Sequence, residues 1–531
     1  MPKVLISDKL SAAAVEIFRA RGIEVDVKTG LSPADLRAII GEYDGLAIRS
    51  ATKVTKEVLE AATRLKVVGR AGIGVDNVDV KSATARGVVV MNTPNGNAIT
   101  TAEHAIAMMF ALARQLPEAS ASTKAGKWEK NRFMGVELFG KTLGLIGCGN
   151  IGSIVADRAI GLKMRVIAYD PYLTEKRALD LGVDKVELDE LLARADIITL
   201  HAPLTDQTRN ILSRDAIART KKGVRIINCA RGGLVDEAAL AEALQSGHVA
   251  GAALDVFEIE PAKESPLFAL ENVVCTPHLG ASTAEAQENV ALQVAEQISD
   301  FLLTGAVTNA LNMPSVSAED APRLKPYMEL SRLLGSFAGQ LTATQDGELK
   351  AVAIEYEGAA AHLNHRPLTA VALAGLLEPL MAGVNMVNAP LLARERGIQV
   401  AETVHDRPSE YQTLVRITVT TNRQVRTLAG TLFAGSKPRL VDLKGIPVEA
   451  DFARYMLYVT NQDKPGFIGR FGATLSDAGI NIATFHLGRA EAGGDAICLV
   501  SVDEPVGEDV LALVRKLPLV VQAPALSFSG K

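Results

Sequence analysis

Thr142-Leu-Gly-Leu-Ile-Gly147-Cys-Gly149-Asn-Ile-Gly152 decides the fold. A short apolar run, Leu143 to Ile146, enters a Gly-x-Gly-x-x-Gly turn, and Ile151 to Leu162 leaves it with helical character. Glycine-rich turns also serve plain chain reversal, so context has to decide. Here a strand precedes, a helix follows, and Asp170 stands 18 residues beyond Gly152, at the end of a second strand from Arg165 to Tyr169. Gly147 permits the tight turn, Gly149 lets backbone approach a pyrophosphate, and Gly152 lets helix and strand pack closely, with the anion at the helix N-terminus. A carboxylate at position 170 accepts hydrogen bonds from ribose hydroxyls and repels a 2'-phosphate, which favours NAD over NADP.

Downstream, strand-like runs Ile197–Leu200, Arg225–Asn228, Gly251–Asp255 and Val273–Cys275 alternate with helical stretches such as Glu237–Gln245, the pattern of a doubly wound sheet. Upstream, the first hundred residues alternate in the same way and predict a second parallel sheet. An apolar helix, Thr101 to Gln115, joins the two and leads to a basic, turn-rich segment from Lys124 to Arg132. A helix from about Thr283 to Leu303 is the natural return path, which makes the first unit discontinuous. Beyond Asn312-Met-Pro-Ser the chain mixes helices (Pro326–Leu341, Pro367–Ala382) with alternating strands (Lys350–Tyr356, Thr413–Thr420, Gln424–Leu432) and shows no chemical constellation. Lys437, Arg439 and Lys444 are the one place there for a second anion. From Tyr455 the order reads β-α-β-β-α-β, closing with one strand from Val520 to Phe528, and an edge strand is left for pairing with a second copy.

Length and composition bound the rest. A chain of 531 residues holds about three or four domains, and 48% hydrophobic with 22% charged residues is ordinary for a globular protein. A net charge of -5 gives no reason to expect nucleic acid or an anionic membrane surface. The start offers no signal core, and the most apolar helical run, Ala105 to Ala113, is far short of the roughly 20 residues that cross a bilayer. Cys148, Cys229, Cys275 and Cys498 are isolated, without zinc spacing, which suits small apolar packing in a reducing cytoplasm and predicts no metal.

Three motifs then supply chemistry. Oxidising an alcohol by hydride loss needs a base for the hydroxyl proton, and His278 in Thr-Pro-His-Leu-Gly-Ala-Ser-Thr lies where a strand meets a helix entry, at the ligand-binding edge of the sheet. A carboxylate would orient that imidazole and stabilise its protonated form; Glu258 and Glu260 are both suitably placed. Arg231, in Asn-Cys-Ala-Arg-Gly-Gly, offers a guanidinium that grips a carboxylate and polarises the carbonyl beside it.

Gly69-Arg-Ala-Gly-Ile-Gly-Val-Asp-Asn-Val-Asp79, the Gly147 loop, Asn228-Cys-Ala-Arg-Gly-Gly-Leu-Val-Asp-Glu237, Glu260-Pro261 and Pro277-His278 together resemble the D-isomer-specific 2-hydroxyacid dehydrogenases. Within that family the chain is most similar to the long branch that oxidises 3-phosphoglycerate and ends in an ACT domain. The resemblance implies an α/β fold in which an NAD-binding Rossmann domain (99–284) is inserted in a flavodoxin-like substrate domain (1–98 and 285–315). An α+β intervening domain (316–452) and a ferredoxin-like βαββαβ ACT domain (453–531) follow. It implies Arg231 for the substrate carboxylate, Glu260 rather than Glu258 for tuning the histidine, and His278 as acid and base. It implies NAD contacts from Gly147, Gly149, Asn150, Ile151, Gly152, Asp170, Ala202, Cys229, Ala230, Asp255, His278 and Gly280.

A phosphorylated substrate brings a second anionic group, for which Arg49 with Ser50, Arg70 with Gly72, and Lys130 or Arg132 near Trp128 are suited. In similar enzymes the Trp128 segment reaches a neighbouring subunit, implying a homodimer or homotetramer. The ACT resemblance implies L-serine as effector, held at a paired interface by Asp463, Gly466 and Asn481. A glyoxylate or hydroxypyruvate reductase is the rival enzyme, similar over residues 1–315 only. An NAD-sensing corepressor is the rival from another class.

Overall fold

The computed structural model describes residues 1–316, 319–344, 347–405 and 411–528. Five parallel strands open the chain: β1 (Lys3–Ile6), β2 (Glu24–Val27), β3 (Gly45–Ile48), β4 (Val67–Arg70) and β5 (Val89–Asn92), in the order β2-β1-β3-β4-β5. This is the flavodoxin order. The three inner strands and β5 bury nearly every residue, as a parallel sheet covered by helices on both faces requires. The helix Ala284–Thr304 comes back to this sheet and lays Val290, Val294 and Ile298 on it. Its approach is close enough that a Cβ on Gly69 would come 2.6 Å from the Val294 and Ile298 side chains.

Between departure and return lies a second parallel sheet: β6 (Thr142–Ile146), β7 (Arg165–Tyr169), β8 (Asp184–Lys185), β9 (Ile197–Leu200), β10 (Val224–Asn228), β11 (Val249–Leu254) and β12 (Val273–Cys275). The order β12-β11-β10-β9-β6-β7-β8 reverses direction between β6 and β9. Ligands of doubly wound sheets bind at that switch point, beyond the carboxyl ends of the strands, and the glycine loop leaves β6 there. The helix Ala98–Arg114 is the covalent link between the two sheets.

The third sheet, β13 (Leu349–Gly358), β14 (Gln399–His405), β15 (Thr413–Thr421), β16 (Val425–Phe433), β17 (Lys437–Leu443) and β18 (Ile446–Asp451), packs on the helices Ala321–Ala343 and His365–Leu377. The second helix stops at Leu377, not Ala382, because Pro379 follows and has no N–H to donate to the Gly375 carbonyl. β14, β17 and β18 are additions to the sequence reading. So is a carboxylate–imidazole cluster: β13 and β14 pair in parallel and set Glu355, Glu357 and His405 within 4.8 Å of one another. These residues are too far apart in sequence to announce themselves.

The C-terminal unit has β19 (Tyr455–Gln462), β20 (Ile482–Arg489), β21 (Asp495–Val502), β22 (Val520–Gln522) and β23 (Ala525–Ser527), with the helices Phe467–Asp477 and Glu508–Arg515. The order β20-β21-β19-β22 is that of a βαββαβ unit. Its last strand is not continuous. Pro524 has no N–H for the ladder, so the strand breaks into β22 and β23, both on β19, while the Pro524 carbonyl still accepts from the Tyr458 N–H at 3.1 Å. The outer strand β20 is met at Gly488 by the Pro447 carbonyl of the third sheet.

Candidate active site

The three glycines of the loop stand in different surroundings. A Cβ on Gly147 would fall 2.7 Å from the His201 carbonyl oxygen and one on Gly152 would fall 2.2 Å from the Gly147 oxygen, whereas one on Gly149 would meet nothing within 4 Å. The outer two glycines are demanded by the protein's own packing; the middle one faces open space. The helix Asn150–Gly161 begins at Gly149 without a side-chain cap, so its first N–H groups keep their donors for an anion. Asp170, just past β7, accepts from the Cys148 N–H at 2.8 Å and the Tyr172 N–H at 2.8 Å. Those bonds aim the carboxylate across the loop. These features fit a dinucleotide. Burial pushes the Cys148 thiol up to about 11 and Cys229 further, so both are packing groups, not nucleophiles.

A cavity of about 800 Å³ draws its lining from both of the parallel-sheet units. Its wall includes Arg49, Ser50, Arg70, Gly72, Asn97, Glu260 and His278, with Phe257 and Phe268 as apolar panels. His278 Nδ1 stands 2.7 Å from Glu260 Oε2, and Glu260 Oε1 accepts from the Phe257 N–H at 3.1 Å. Burial works against an ionised Glu260, but those two bonds outweigh it and hold the carboxyl below the usual range. Glu258 is not the partner; its N–H donates to Glu237 and its side chain is exposed. His278 itself has φ of 55°, a left-handed conformation that costs a non-glycine residue on the order of 1 kcal/mol. Its surroundings impose that shape: its N–H donates to the Asp255 carbonyl at 2.9 Å, and the next two N–H groups, of Leu279 and Gly280, donate to the Asp255 carboxylate at 2.7 and 2.8 Å.

Arg49 and Arg70 reach the cavity from neighbouring strand ends, Ile48 of β3 lying opposite Arg70 of β4. Buried Asp8 shapes the Arg49 turn by accepting from the Arg49 N–H at 2.6 Å and from the Thr52 hydroxyl at 2.7 Å. Arg70 lies across Gly72, where a Cβ would sit 1.9 Å from its guanidinium, and Thr93 secures that loop through the Gly72 N–H at 2.7 Å. Burial and, after it, the like charge of Arg231 bring the Arg70 guanidinium down to about 10. Its Nε is buried and has no hydrogen-bond partner. A guanidinium in that position is a standing invitation to an anion.

Arg231 stands outside this wall. It crosses Gly74, donates from Nε to Asp76 at 2.8 Å, and is close enough to Arg70 to act on its charge. Lys130 and Arg132 are not brought to the cavity: Arg132 pairs with Glu129 and Glu271, and neighbouring Trp128 is 87% exposed. Asp8 and Thr93 are absent from the sequence reading, and Gly74 and Asp76 stand there only within the Gly69–Asp79 motif, without a role. Only the Gly72-Ile-Gly74 doublet could have signalled them, as a backbone pressed by bulky neighbours. Ala202, Cys229 and Ala230 sit at the ends of β9 and β10, along the same sheet edge as the glycine loop.

The effector candidates do not converge within one chain. Asp463 and Gly466 precede the helix Phe467–Asp477 and Asn481 follows it, and its 11 residues separate them by roughly 16 Å. Asp463 accepts from Arg489 at 2.8 Å and from the Gly493 N–H, and Asn481 donates to Asp503 at 2.6 Å. Arg439, offered for a second anion, is bonded to Asp451. No helix among the described residues is long and apolar enough to cross a membrane.

Three family models match the chain: the D-isomer specific 2-hydroxyacid dehydrogenase NAD binding domain over residues 106–280, the D-3-phosphoglycerate dehydrogenase intervening domain over 323–444, and the ACT domain over 455–519. The D-3-phosphoglycerate dehydrogenase of Synechocystis is 43% identical over 97% of this chain and 93% of its own length. That of Methanocaldococcus jannaschii is 44% identical over 98% of each. Among solved structures, a glyoxylate reductase from Paecilomyes thermophila (30% identity, TM-score 0.55) covers 58% of this chain and 98% of its own. A D-lactate dehydrogenase from Aquifex aeolicus, complexed with NAD and lactic acid, covers 59% of this chain and 100% of its own at 27% identity and a TM-score of 0.53.

Proposed function

The chain belongs to the D-3-phosphoglycerate dehydrogenases, the long branch of the D-isomer-specific 2-hydroxyacid dehydrogenase family, and from that membership we propose how its cleft works. It oxidises the 2-hydroxyl of 3-phosphoglycerate to 3-phosphohydroxypyruvate with NAD, the opening step of the phosphorylated route to L-serine. NAD, when bound, supplies the hydride acceptor. The chain's own residues do the rest. Gly149 and the N-terminus of the helix Asn150–Gly161 receive the pyrophosphate, and Asp170 receives the ribose. Arg49 and Arg70 bind the substrate phosphate, and His278 accepts the hydroxyl proton at Nε2 while Glu260 holds Nδ1 and stabilises the imidazolium. Arg231 exchanges Asp76 for the substrate carboxylate and polarises the adjacent C–O bond.

One observation carries this reading: the His278–Glu260 pair shares a cavity with a buried arginine whose Nε lacks any partner. Residues 1–98 with 285–315 form the substrate domain, 99–284 the NAD domain, 316–452 the intervening domain and 453–531 the ACT domain. The exposed Trp128, Met134 and Phe139 dock on a neighbouring subunit, and L-serine binds between paired ACT domains. Initial rates with 3-phosphoglycerate and NAD, set against glycerate and NADP, test the substrate and cofactor. Turnover of glycerate with none of 3-phosphoglycerate would move the chain to the reductase branch.

A further inference from the structure

Beneath the catalytic loop, the helix Ala98–Arg114 reaches up with two side chains. Thr101 donates to the Gly280 carbonyl at 2.9 Å, and His104 places Nε2 3.2 Å from Asp255 Oδ1 and 3.3 Å from Thr276 Oγ1. Asp255 is fully buried and collects the Thr276 hydroxyl at 2.6 Å together with the Leu279 and Gly280 N–H groups. Among the described residues, His104 is the one basic side chain in contact with it. Burial opposes the charged carboxylate, yet the bonds from His104, Thr276 and Leu279 more than offset it and keep Asp255 ionised. An ionised acceptor requires that Nε2 carry the proton, so the tautomer is set by its partner.

We infer, resting on the function proposed above, that His104 is a positioning residue for proton transfer: its Nε2–H fixes the Asp255 carboxylate that grips the backbone of residues 279 and 280 and so holds His278 in place. The chain of contacts is short. Residue 278 is in a conformation that its own side chain disfavours, and the N–H groups immediately after it are the restraints. If Asp255 rotates, the loop relaxes and the imidazole drifts from the reacting hydroxyl, and a misplacement near 1 Å costs about 10²-fold in rate. Because the helix carrying His104 follows β5 of the first sheet after the short connection 93–97, the base is tied to the substrate side of the cleft as well as to the NAD side.

The test compares His104→Leu, which keeps volume and removes the donor, with His104→Gln, whose amide can return a donor near the Nε2 position. With 3-phosphoglycerate and NAD, His104→Leu should lower kcat about 10- to 100-fold with KM for 3-phosphoglycerate nearly unchanged, and His104→Gln should restore most of the loss. Should the leucine variant fail to fold, His104→Met takes its place. Equal kcat in the leucine variant and the unsubstituted chain, or glutamine and leucine variants equally slow with unchanged Tm, overturns the inference while leaving the dehydrogenase reading intact. An unsubstituted chain with no activity toward 3-phosphoglycerate overturns both.

Discussion

In the cleft, Arg49, Arg70, Glu260 and His278 come from separate stretches and meet around one cavity, while in the C-terminal unit Asp463 and Asn481 stand at opposite ends of one helix, each bonded to a neighbour on its own chain. The difference lies in hydrogen-bond capacity left over. A site that is complete in one chain shows itself by a buried polar group with no partner, here Arg70 Nε. At a site that needs two chains the candidate residues themselves, here Asp463 and Asn481, carry no such debt, although Thr460 Oγ1 and Asn461 Oδ1 of the adjoining β19 are buried without a partner. The two candidates lie at the surface, where water and local ion pairs satisfy them. The cleft therefore announces its ligand's charge, and the C-terminal unit announces only its fold.

The most direct way to break the comparison is to remove the base. His278→Gln should lower kcat about 10²- to 10⁴-fold if the imidazole carries the proton, measured as initial NADH formation at saturating substrate. A smaller loss would assign proton transfer elsewhere and leave the cavity as a binding site only. Next in size is Arg70→Met, which replaces the partnerless guanidinium with an apolar chain of similar length. Loss of a buried charged contact predicts KM for 3-phosphoglycerate rising about 10²-fold, with the NAD dissociation constant unmoved. Should NAD binding weaken equally, Arg70 is a structural prop and the cleft has lost its distinguishing feature. Asp170→Ala should shift the NAD-over-NADP preference by about tenfold, read from the ratio of kcat/KM values.

Asp255 sharpens the same contrast through stability. Its carboxyl is held below the ordinary aspartate value near 3.9. Between the folded and unfolded values the unfolded chain binds the extra proton, so the contribution is full above about pH 4 and is lost as pH falls through the depressed folded value. Urea unfolding of the unsubstituted chain and Asp255→Asn should then differ by a constant amount at neutral pH and converge in acid. A gap that persists undiminished at the acid end would mean that the charge contributes nothing.

How much of this was legible in the sequence depends on where each group's partners lie. The glycine loop, Asp170 and both parallel sheets follow from patterns within a few dozen residues, because alternating strand and helix signals and the glycine spacing are local. Residue 278 was readable as a strand-end histidine, but the choice of Glu260 over Glu258 came only from the family resemblance, since spacing does not say which carboxylate reaches Nδ1. Asp76 across from Arg231, Asp8 under Arg49 and His104 under Asp255 are contacts between segments up to 155 residues apart, and no periodicity encodes them. The break at Pro524 and the stop at Leu377 were legible in principle, since proline removes a backbone donor.

The smallest expected effect concerns the region that is silent on its own. Asp463→Ala and Asn481→Ala should each leave basal turnover unchanged, because neither residue lines the cleft, and each should abolish the calorimetric heat of serine binding. If one copy supplies Asp463 and its partner supplies Asn481, two-fold symmetry gives every pair two such sites. A mixed pair of the two variants then has one site with both substitutions and one with neither. Refolding the variants together should restore serine binding in roughly a quarter of all sites, since about half of the pairs are mixed and each of these holds one intact site. No recovery would mean that both residues serve a single chain. The roughly 16 Å between them would then have to close by a movement of the helix Phe467–Asp477, and the C-terminal unit would be a complete site after all, hidden by conformation and not by missing symmetry.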